Sequence, residues 1–215
     1  GRNLELQAIK DVFLSDSRAC LTILGNVGVG KTSFANFHKF ICKYEEKKKP
    51  LFSFRREIEA SKNLINKRSF LIEVIGSTLR EIRLLDPQLI KKEELLQKLE
   101  KLVEITQSLD ISAGISIAGF GGDFGKTGGT EYPPSISMTI LEEYFINLVS
   151  FIKKKEISGR KFDGLIVHIN NFDVVLADPA NKKNVIRFFQ EIRDILQIKD
   201  VYYLFTTGNG ISVFS

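Results

Sequence analysis

The sequence lacks the cysteine patterns and the long hydrophobic runs that mark several large classes of protein. Its only cysteines among 215 residues are Cys20 and Cys42. Two cysteines without metal-ligand spacing argue against a disulfide framework and a cysteine-based metal site, so we expect two buried structural thiols in a reducing compartment. No apolar stretch approaches the roughly 20 residues that cross a bilayer, and the N-terminus has no signal-peptide pattern. We therefore expect a cytoplasmic protein without membrane contact.

The composition is that of a globular protein with one substantial core. Hydrophobic residues make up 43% of the chain and charged residues 27%, which predicts one domain over residues 1–215. The chain opens at Gly1-Arg2 and ends soon after an apolar run, so we expect a fragment of a longer protein. A net charge of +5 and a pI near 9.1 permit contact with DNA, but lysine-rich helices also produce such values in proteins that bind no nucleic acid.

Apolar periodicity predicts helices alternating with strands. Helical spacing predicts helices over 3–14, 31–44, 58–106 with a break at Asp86-Pro87, 140–157 and 185–198. Continuous apolar runs predict buried strands over 19–24, 51–54, 165–169 and 201–205, the first of them buried on both faces. Strands that alternate with helices imply a parallel sheet with right-handed crossovers and helices on both faces. The sequence therefore predicts a three-layer α/β fold.

The stretch between the first strand and the next helix has the spacing of a phosphate-binding loop: glycine, four residues, glycine, lysine and threonine. The glycines let the backbone turn tightly towards phosphate oxygens, and the helix N-terminus adds positive potential. We expect Lys31 to reach the β and γ phosphates and the Thr32 hydroxyl to coordinate magnesium. The predicted ligand is ATP with Mg²⁺, bound by Gly25, Asn26, Val27, Gly28, Val29, Gly30, Lys31, Thr32 and Ser33.

Residues 111–129 interrupt the alternation of helices and strands. They alternate small and apolar side chains and then become rich in glycine, which predicts an inserted extended hairpin with a mobile tip. A Gly-Lys-Thr triplet at 125–127 lies there, but Phe120 stands where a phosphate loop has its first glycine, and Pro133-Pro134 cannot begin a helix. Lys126 is then a residue of the tip or, alternatively, a contact to a partner or to the DNA backbone.

Around the phosphate loop, the chain resembles the AAA+ and STAND branch of P-loop ATPases, particularly the members that resemble origin-recognition initiators. The segment Gly1-Arg2-Asn3-Leu4-Glu5-Leu6 is similar to the box that precedes the first strand there. This resemblance implies that Arg2 lies near the adenine. It also implies a helical lid, a second sensor and an arginine finger from a neighbouring subunit, none of which is visible in the sequence.

Two further segments carry the resemblance. Residues 165–173, LIVHINNFD, are similar to the second acidic motif, an apolar strand that ends in acids. Residues 201–209, VYYLFTTGN, are similar to the strand whose tip senses the γ-phosphate, so Thr207 and Asn209 are sensor candidates; the alternative is an ordinary turn. In this family another strand separates the phosphate-loop strand from the acidic-motif strand, and 201–205 fits that place.

The second acidic motif departs from the family at its most important positions. Asn170 stands where the family has an aspartate that holds magnesium, and Asn171 where it often has an acid that polarises the attacking water. An amide brings no negative charge and cannot act as a base. Hydrolysis is therefore in question, whereas phosphate binding by the loop is not. The catalytic candidates are Lys31, Asn170, Asn171, Asp173 and Asn209.

Three explanations fit the two asparagines. Asp173 supplies the missing carboxylate and binds the metal with Thr32, provided that the strand end is shifted; otherwise it caps the next turn. The protein is a slow or inactive ATPase that uses ATP as a structural switch. Groups from a neighbouring subunit complete an active enzyme. His168, inside the apolar strand without other ligands at metal spacing, is interpreted as a hydrogen-bonded core histidine.

The leading functional prediction is an ATP-binding domain that acts as a nucleotide-dependent switch or assembly module, within a homo-oligomer or beside further domains. One alternative is a nucleotide-loaded DNA-binding platform that resembles replication initiators. Another is a regulatory pseudo-ATPase of a larger protein. A small-molecule kinase is disfavoured, because no acceptor site or arginine-rich lid is recognisable.

Overall fold

The structure is a computed structural model that describes residues 3–15, 19–26, 28–45, 49–61, 64–112, 137–177 and 181–208. Four predicted functional residues lie outside the described residues, namely Arg2, Val27, Lys126 and Asn209. The glycine-rich tip of the predicted hairpin lies outside them as well.

The described residues form eight α-helices and five short strands, and four of the helices follow one another between the third and the fourth strand. The eight α-helices are α1 (Asn3–Ser15), α2 (Lys31–Phe40), α3 (Lys67–Leu85), α4 (Pro87–Lys92), α5 (Glu94–Ser112), α6 (Met138–Lys154), α7 (Phe172–Leu176) and α8 (Asn181–Glu191). The five strands are β1 (Ala19–Leu24), β2 (Leu51–Ser53), β3 (Ile58–Glu59), β4 (Gly164–Asn170) and β5 (Val201–Thr207). A π-helical turn (Ile41–Glu45) continues α2, and a 3₁₀ turn (Ile195–Gln197) precedes β5. No described helix is both long enough and apolar enough to span a membrane.

The five strands make one parallel sheet. Its order is β1-β5-β4-β2, and the short strand β3 also pairs with β4. All four strand pairings are parallel. The predicted parallel α/β sheet is therefore confirmed, and β5 lies between β1 and β4, in the place expected for 201–205.

The residues of the central strands alternate between two apolar layers. Leu165, Val167 and Ile169 belong to the large core with α3, α5, α6 and α8. Ile166 and Tyr202 face the opposite way, into a smaller cluster that includes Phe13 of α1 and Cys42 of the π-helical turn. Successive strand residues point to opposite faces of the sheet. Each of the two clusters contains helix residues, so helices cover the sheet on both sides. This packing is compatible with the predicted three-layer fold.

The predicted helix over 58–106 is wrong at its beginning. Residues 58–59 form β3, and α3 begins only at Lys67. The Asn66 side chain accepts hydrogen bonds from the backbone N–H groups of Arg68 and Ser69, which caps the helix and fixes its start there. At the other end of α5, residues 111–112 are helical rather than the beginning of the predicted hairpin.

The edge of the sheet at β1 is more exposed than predicted. Cys20 and Leu24 of β1 are exposed, because within the described sheet β1 has a neighbouring strand on one side only. The prediction of a buried thiol is therefore confirmed for Cys42 and wrong for Cys20. In α2, Phe34 is buried, whereas Phe37 and Phe40 are about half exposed.

A buried ion pair ties the helix after the glycine loop to the sheet. The ammonium of Lys43 lies 2.6 Å from Glu81 of α3, and the two side chains are only 3% and 2% exposed. The same ammonium donates to the backbone oxygen of Ser53 at 2.6 Å, while the N–H of Arg55 donates to the second oxygen of Glu81 at 2.9 Å. Burial lowers the pKa of Lys43, which the bond to Glu81 opposes.

We expect Glu81→Gln to lower the free energy of unfolding by about 3 kcal/mol, because it leaves the buried ammonium of Lys43 without its counter-charge. Urea denaturation at neutral pH measures this change. Glu191→Gln is the matched control, since Glu191 pairs with Arg187 on an exposed helical surface and its loss should cost less than about 0.5 kcal/mol. Equal effects of the two substitutions would contradict the assigned role of the buried pair.

Candidate functional site

The glycine loop, residues 25–30, connects β1 to α2 in a geometry that requires its glycines. Gly28 and Gly30 have φ angles of 83° and 81°, a region that side chains with a Cβ rarely adopt. A Cβ at Gly25 would lie 2.9 Å from Cγ2 of Val29, too close for either group. The loop therefore holds its backbone in a tight arch that larger residues at these positions would disrupt.

The loop ends directly in the first turn of α2. Gly30 occupies the N-cap position and provides no side-chain hydrogen bond to the helix. The first N–H groups of an α-helix have no partner within the helix and carry positive potential. Residues Lys31, Thr32 and Ser33 present these groups. The predicted binding segment from Gly25 to Ser33 is thus brought together, apart from Val27, which is not described.

The ammonium of Lys31 lies over the loop itself. It donates to the backbone oxygens of Gly25 at 2.8 Å and of Asn26 at 3.0 Å. The positive charge therefore stands at the carboxyl end of β1, beside the N-terminus of α2. Together these groups offer hydrogen-bond donors and positive charge, which is the chemistry that binds an anion.

The hydroxyl of Thr32 connects the loop to the end of β4. The O–H group donates to Oδ1 of Asn170, with 2.8 Å between the two oxygens, across 138 positions of sequence. Thr206 of β5 donates to the same oxygen at 2.5 Å. Asn170 is itself buried, with 3% of its surface exposed. The structure thus brings the predicted strand-end residue into contact with the threonine of the glycine loop.

Glu59 completes this cluster and was missed by the sequence analysis. Its register partner across the β3 and β4 pair is Asn170. Oε1 of Glu59 accepts from Nδ2 of Asn170 at 3.0 Å, and Oε2 accepts from Nδ2 of Asn171 at 2.9 Å. Because a carboxylate accepts and two hydroxyls donate, the orientation of the Asn170 amide is chemically fixed. We call Glu59, Asn170, Asn171 and Thr32 the strand-end cluster.

Local backbone geometry aims Asn171 at Glu59. Asn171 has φ 58° and ψ 41°, in the left-handed region, directly before α7. Asparagine tolerates this region better than most residues. The turn places the second amide of the motif beside the carboxylate from the neighbouring strand. No periodicity in the sequence marks this contact, because β3 has only two residues.

Asp173 does not join the strand-end cluster. β4 ends at Asn170 and Asp173 lies in the first turn of α7, so the strand end is not shifted towards it. A Cβ at Gly208 would lie 3.3 Å from the Cβ of Asp173, which places the carboxylate beside the end of β5. Oδ1 of Asp173 and Oγ1 of the sensor candidate Thr207 are both buried without a hydrogen-bond partner among the described residues. Two unpaired polar atoms thus lie at the carboxyl ends of the strands.

His168 precedes the cluster on the same face of β4. It is a core residue, as predicted, with 0% exposure. The predicted hydrogen bond is not found, since both ring nitrogens lack a partner among the described residues. Burial, and then the charge of Lys39, lower the pKa of His168 to about 3. Lys39 is buried as well and donates to the backbone oxygen of Phe54 at 3.3 Å.

No group of three His, Cys, Asp or Glu side chains in the described part of the chain is arranged to hold a metal ion. No protein-family model matches the chain, and no curated protein matches it. The resemblance to AAA+ and STAND ATPases therefore depends on the motifs alone, and a nucleotide ligand stays a prediction.

We expect Asn170→Asp to lower the free energy of unfolding by about 1 to 2 kcal/mol at pH 7.5, because two carboxylates would then face each other in the strand-end cluster. The repulsion raises the pKa of one carboxyl in the folded state, so this loss should shrink as the pH falls towards 4. Urea denaturation at several pH values measures it. In a protein that already carries Glu59→Gln, Asn170→Asp should lower the free energy of unfolding much less. An equal loss in that protein would contradict the contact between Asn170 and Glu59.

We expect His168 to make stability fall as the pH decreases. Its folded pKa of about 3 lies below the ordinary histidine pKa of 6.5, so the unfolded chain binds the proton more readily and stability is lost below about pH 6.5. Between pH 7 and 5 the loss should reach about 2 kcal/mol. His168→Leu should remove it, whereas the contribution of His38, whose pKa burial lowers to about 4, should persist. Identical pH profiles of the two proteins would refute this assignment.

Proposed function

We propose that this chain is an ATP-binding domain of the P-loop type, and that nucleotide binding at the glycine loop acts as a switch. The observation that carries the proposal is the hydrogen bond from Thr32 to Asn170 at 2.8 Å. It connects the end of the glycine loop to the end of β4, so a ligand at the loop also reaches the strand ends. Ligands of open α/β sheets commonly bind at the carboxyl ends of the strands.

The residues present fit a triphosphate. No heavy atom of a described residue beyond the chain neighbours lies within 4 Å of the place where a Cβ would stand at Gly28 or Gly30, so no side chain at these positions hinders the approach of phosphate oxygens to the backbone N–H groups. Lys31 carries its charge at the same place. The hydroxyl of Thr207 at the end of β5, which lacks a partner among the described residues, is a further donor. The backbone N–H groups, Lys31 and this hydroxyl favour a ligand that is anionic and rich in hydrogen-bond acceptors.

The roles of the residues follow from their chemistry. The loop N–H groups and Lys31 bind phosphate oxygens, and Ser33 extends this set of donors at the first turn of α2. Thr32 would offer its hydroxyl oxygen to Mg²⁺ while its hydrogen stays bonded to Asn170. Bound Mg²⁺ would neutralise phosphate charge. Asn170 orients Thr32 but brings no charge of its own.

A switch follows from the connections of the loop. Through Thr32 and Asn170, a ligand at the glycine loop would act on β3, β4 and β5 together, because Asn170 bonds Glu59 and Thr206. Lys39 of α2 also binds the backbone oxygen of Phe54, between β2 and β3, and Lys43 of the π-helical turn binds that of Ser53 in β2. Nucleotide state would therefore be transmitted to the edge of the sheet and its helices. Contacts with other subunits or domains would then depend on the nucleotide state.

We expect Lys31→Ala to weaken ATP binding at least tenfold, because a hydrogen bond to a charged group contributes about 1.5 to 3 kcal/mol and each 1.4 kcal/mol is a factor of ten in affinity. Isothermal titration with ATP and magnesium, at fixed salt, measures the change. Lys98→Ala is the matched control, since Lys98 pairs with Glu94 on an exposed surface far along the chain, and its affinity should equal that of the parent chain.

Failure of the parent chain to bind ATP would overturn the proposal, as would equal affinities of the parent and Lys31→Ala proteins. Tight binding with no turnover at all would favour the regulatory pseudo-ATPase among the alternatives. The DNA-binding platform predicts steep salt dependence of DNA association, and it stays a prediction from the charge of the chain.

A further inference from the structure

We propose that Glu59 supplies, from the neighbouring strand, the carboxylate that the end of β4 lacks, and that it accepts a proton from the water attacking bound ATP. The proposal rests on the proposed function, because it needs ATP at the glycine loop. It assigns catalysis to a residue outside every motif seen in the sequence. The two asparagines then position a base rather than replace one.

The first support is the position of Glu59 in the sheet. β3 runs parallel to β4, and Glu59 is the register partner of Asn170. Its carboxylate is thus carried to the carboxyl edge of the sheet, where Asn170 contacts Thr32 of the glycine loop. A single amide group, that of Asn170, separates Glu59 from the hydroxyl expected to bind magnesium.

The second support is the state in which the carboxylate is held. Each of its oxygens accepts one amide N–H, from Asn170 at 3.0 Å and from Asn171 at 2.9 Å. A carboxylate has about four acceptor positions, so about two stay available for water. Glu59 is also exposed, which gives solvent access to it. It is therefore oriented by two neutral donors and free to bind a water molecule.

The competing carboxylate is less well placed. Asp173 lies in the first turn of α7, against Gly208, and none of its described hydrogen bonds joins it to Thr32, Asn170 or Asn171. Its Oδ1 atom is buried without a partner, whereas a base must contact water before it can remove a proton. Among the described carboxylates, Glu59 is the one bonded to the end of β4.

The proposed step is the hydrolysis of ATP, and its only reactants are ATP and water. The oxygen of water forms a bond to the γ-phosphorus, and the bond from that phosphorus to the bridging oxygen of ADP breaks. Glu59 accepts one proton from the water as the new bond forms, and the proton then passes to phosphate or solvent. The products are ADP and inorganic phosphate.

The test compares the full parent chain with Glu59→Gln in two measurements, ATP affinity and single-turnover release of phosphate. We expect unchanged affinity within about twofold and a rate lowered at least about a hundredfold, as for other positioned bases. The variant should also retain intact ATP, recovered after rapid removal of free nucleotide. Glu57→Gln is the matched control, because Glu57 lies two residues away and contacts Asn36 at 3.4 Å rather than the strand-end cluster; it should behave as the parent chain does.

Exchanging the partners sharpens the test. Glu59→Asn should lose turnover, and adding Asn171→Glu should restore at least a tenth of it, because the carboxylate and amide then trade places across the same contact. Restoration would support proton transfer by a carboxylate of this cluster. Thermal melting of each variant identifies any that fail to fold, and Glu59→Gln, which keeps the shape of the side chain, then decides.

The outcomes separate the two proposals. A parent chain that binds no ATP overturns the proposed function itself. If the parent chain and Glu59→Gln both bind ATP and hydrolyse it at the same rate, the role of Glu59 is overturned. The proposal of ATP binding then still stands. Binding by the parent chain without any turnover overturns the role of Glu59 too. Full recovery of Glu59→Gln at high magnesium also overturns it, because the residue would then act on metal affinity rather than on the proton.

Discussion

The parallel register of β4 with β3 and β5 is the constraint on which the candidate site depends. Glu59 of β3 stands level with Asn170, and Ile169 pairs with Phe205, which puts Thr206 beside Asn170 on the other side. A slip of one residue would turn the Asn170 side chain to the opposite face of the sheet. The apolar residues of β4 fix this register by their burial, so the same packing that stabilises the fold also assembles the polar cluster.

The helix that follows the glycine loop is fastened to the same region of the sheet. Lys39 and Lys43 of this helical segment reach backbone oxygens of Phe54 and Ser53, and Glu81 neutralises Lys43. Burial lowers the pKa of Lys39 to about 8, partly opposed by the charges of nearby glutamates. Buried lysines cost free energy unless they are paired and hydrogen-bonded. Here they hold the connection into β3, and therefore Glu59, at a fixed place relative to Thr32.

The sequence predicted the features that depend on local order and missed those that depend on pairing at long range. The glycine spacing, the alternation of helices with strands and the polar end of β4 are all local patterns. β3 has only two residues and no periodicity, so its residues fall within a predicted helix, and the bond from Asn170 to Glu59 spans 111 positions. The exposure of Cys20 could not be predicted for a related reason. An apolar run predicts a strand but does not distinguish a central strand from one at the edge of the sheet.

The two asparagines are best understood together with the glutamate that they hold. Acids at both positions would place two further carboxylates within hydrogen-bonding distance of Glu59, and like charges so close oppose one another's ionisation. With two amides the cluster carries one negative charge, shared over hydrogen bonds that leave it well oriented. The end of β4 carries two amides and no carboxylate of its own, whereas β3 and β4 together place the carboxylate of Glu59 there. Parallel strands bring residues from distant parts of the chain together at one edge of the sheet. The functional groups of such a site therefore come from several strand ends and cannot be identified from one strand alone.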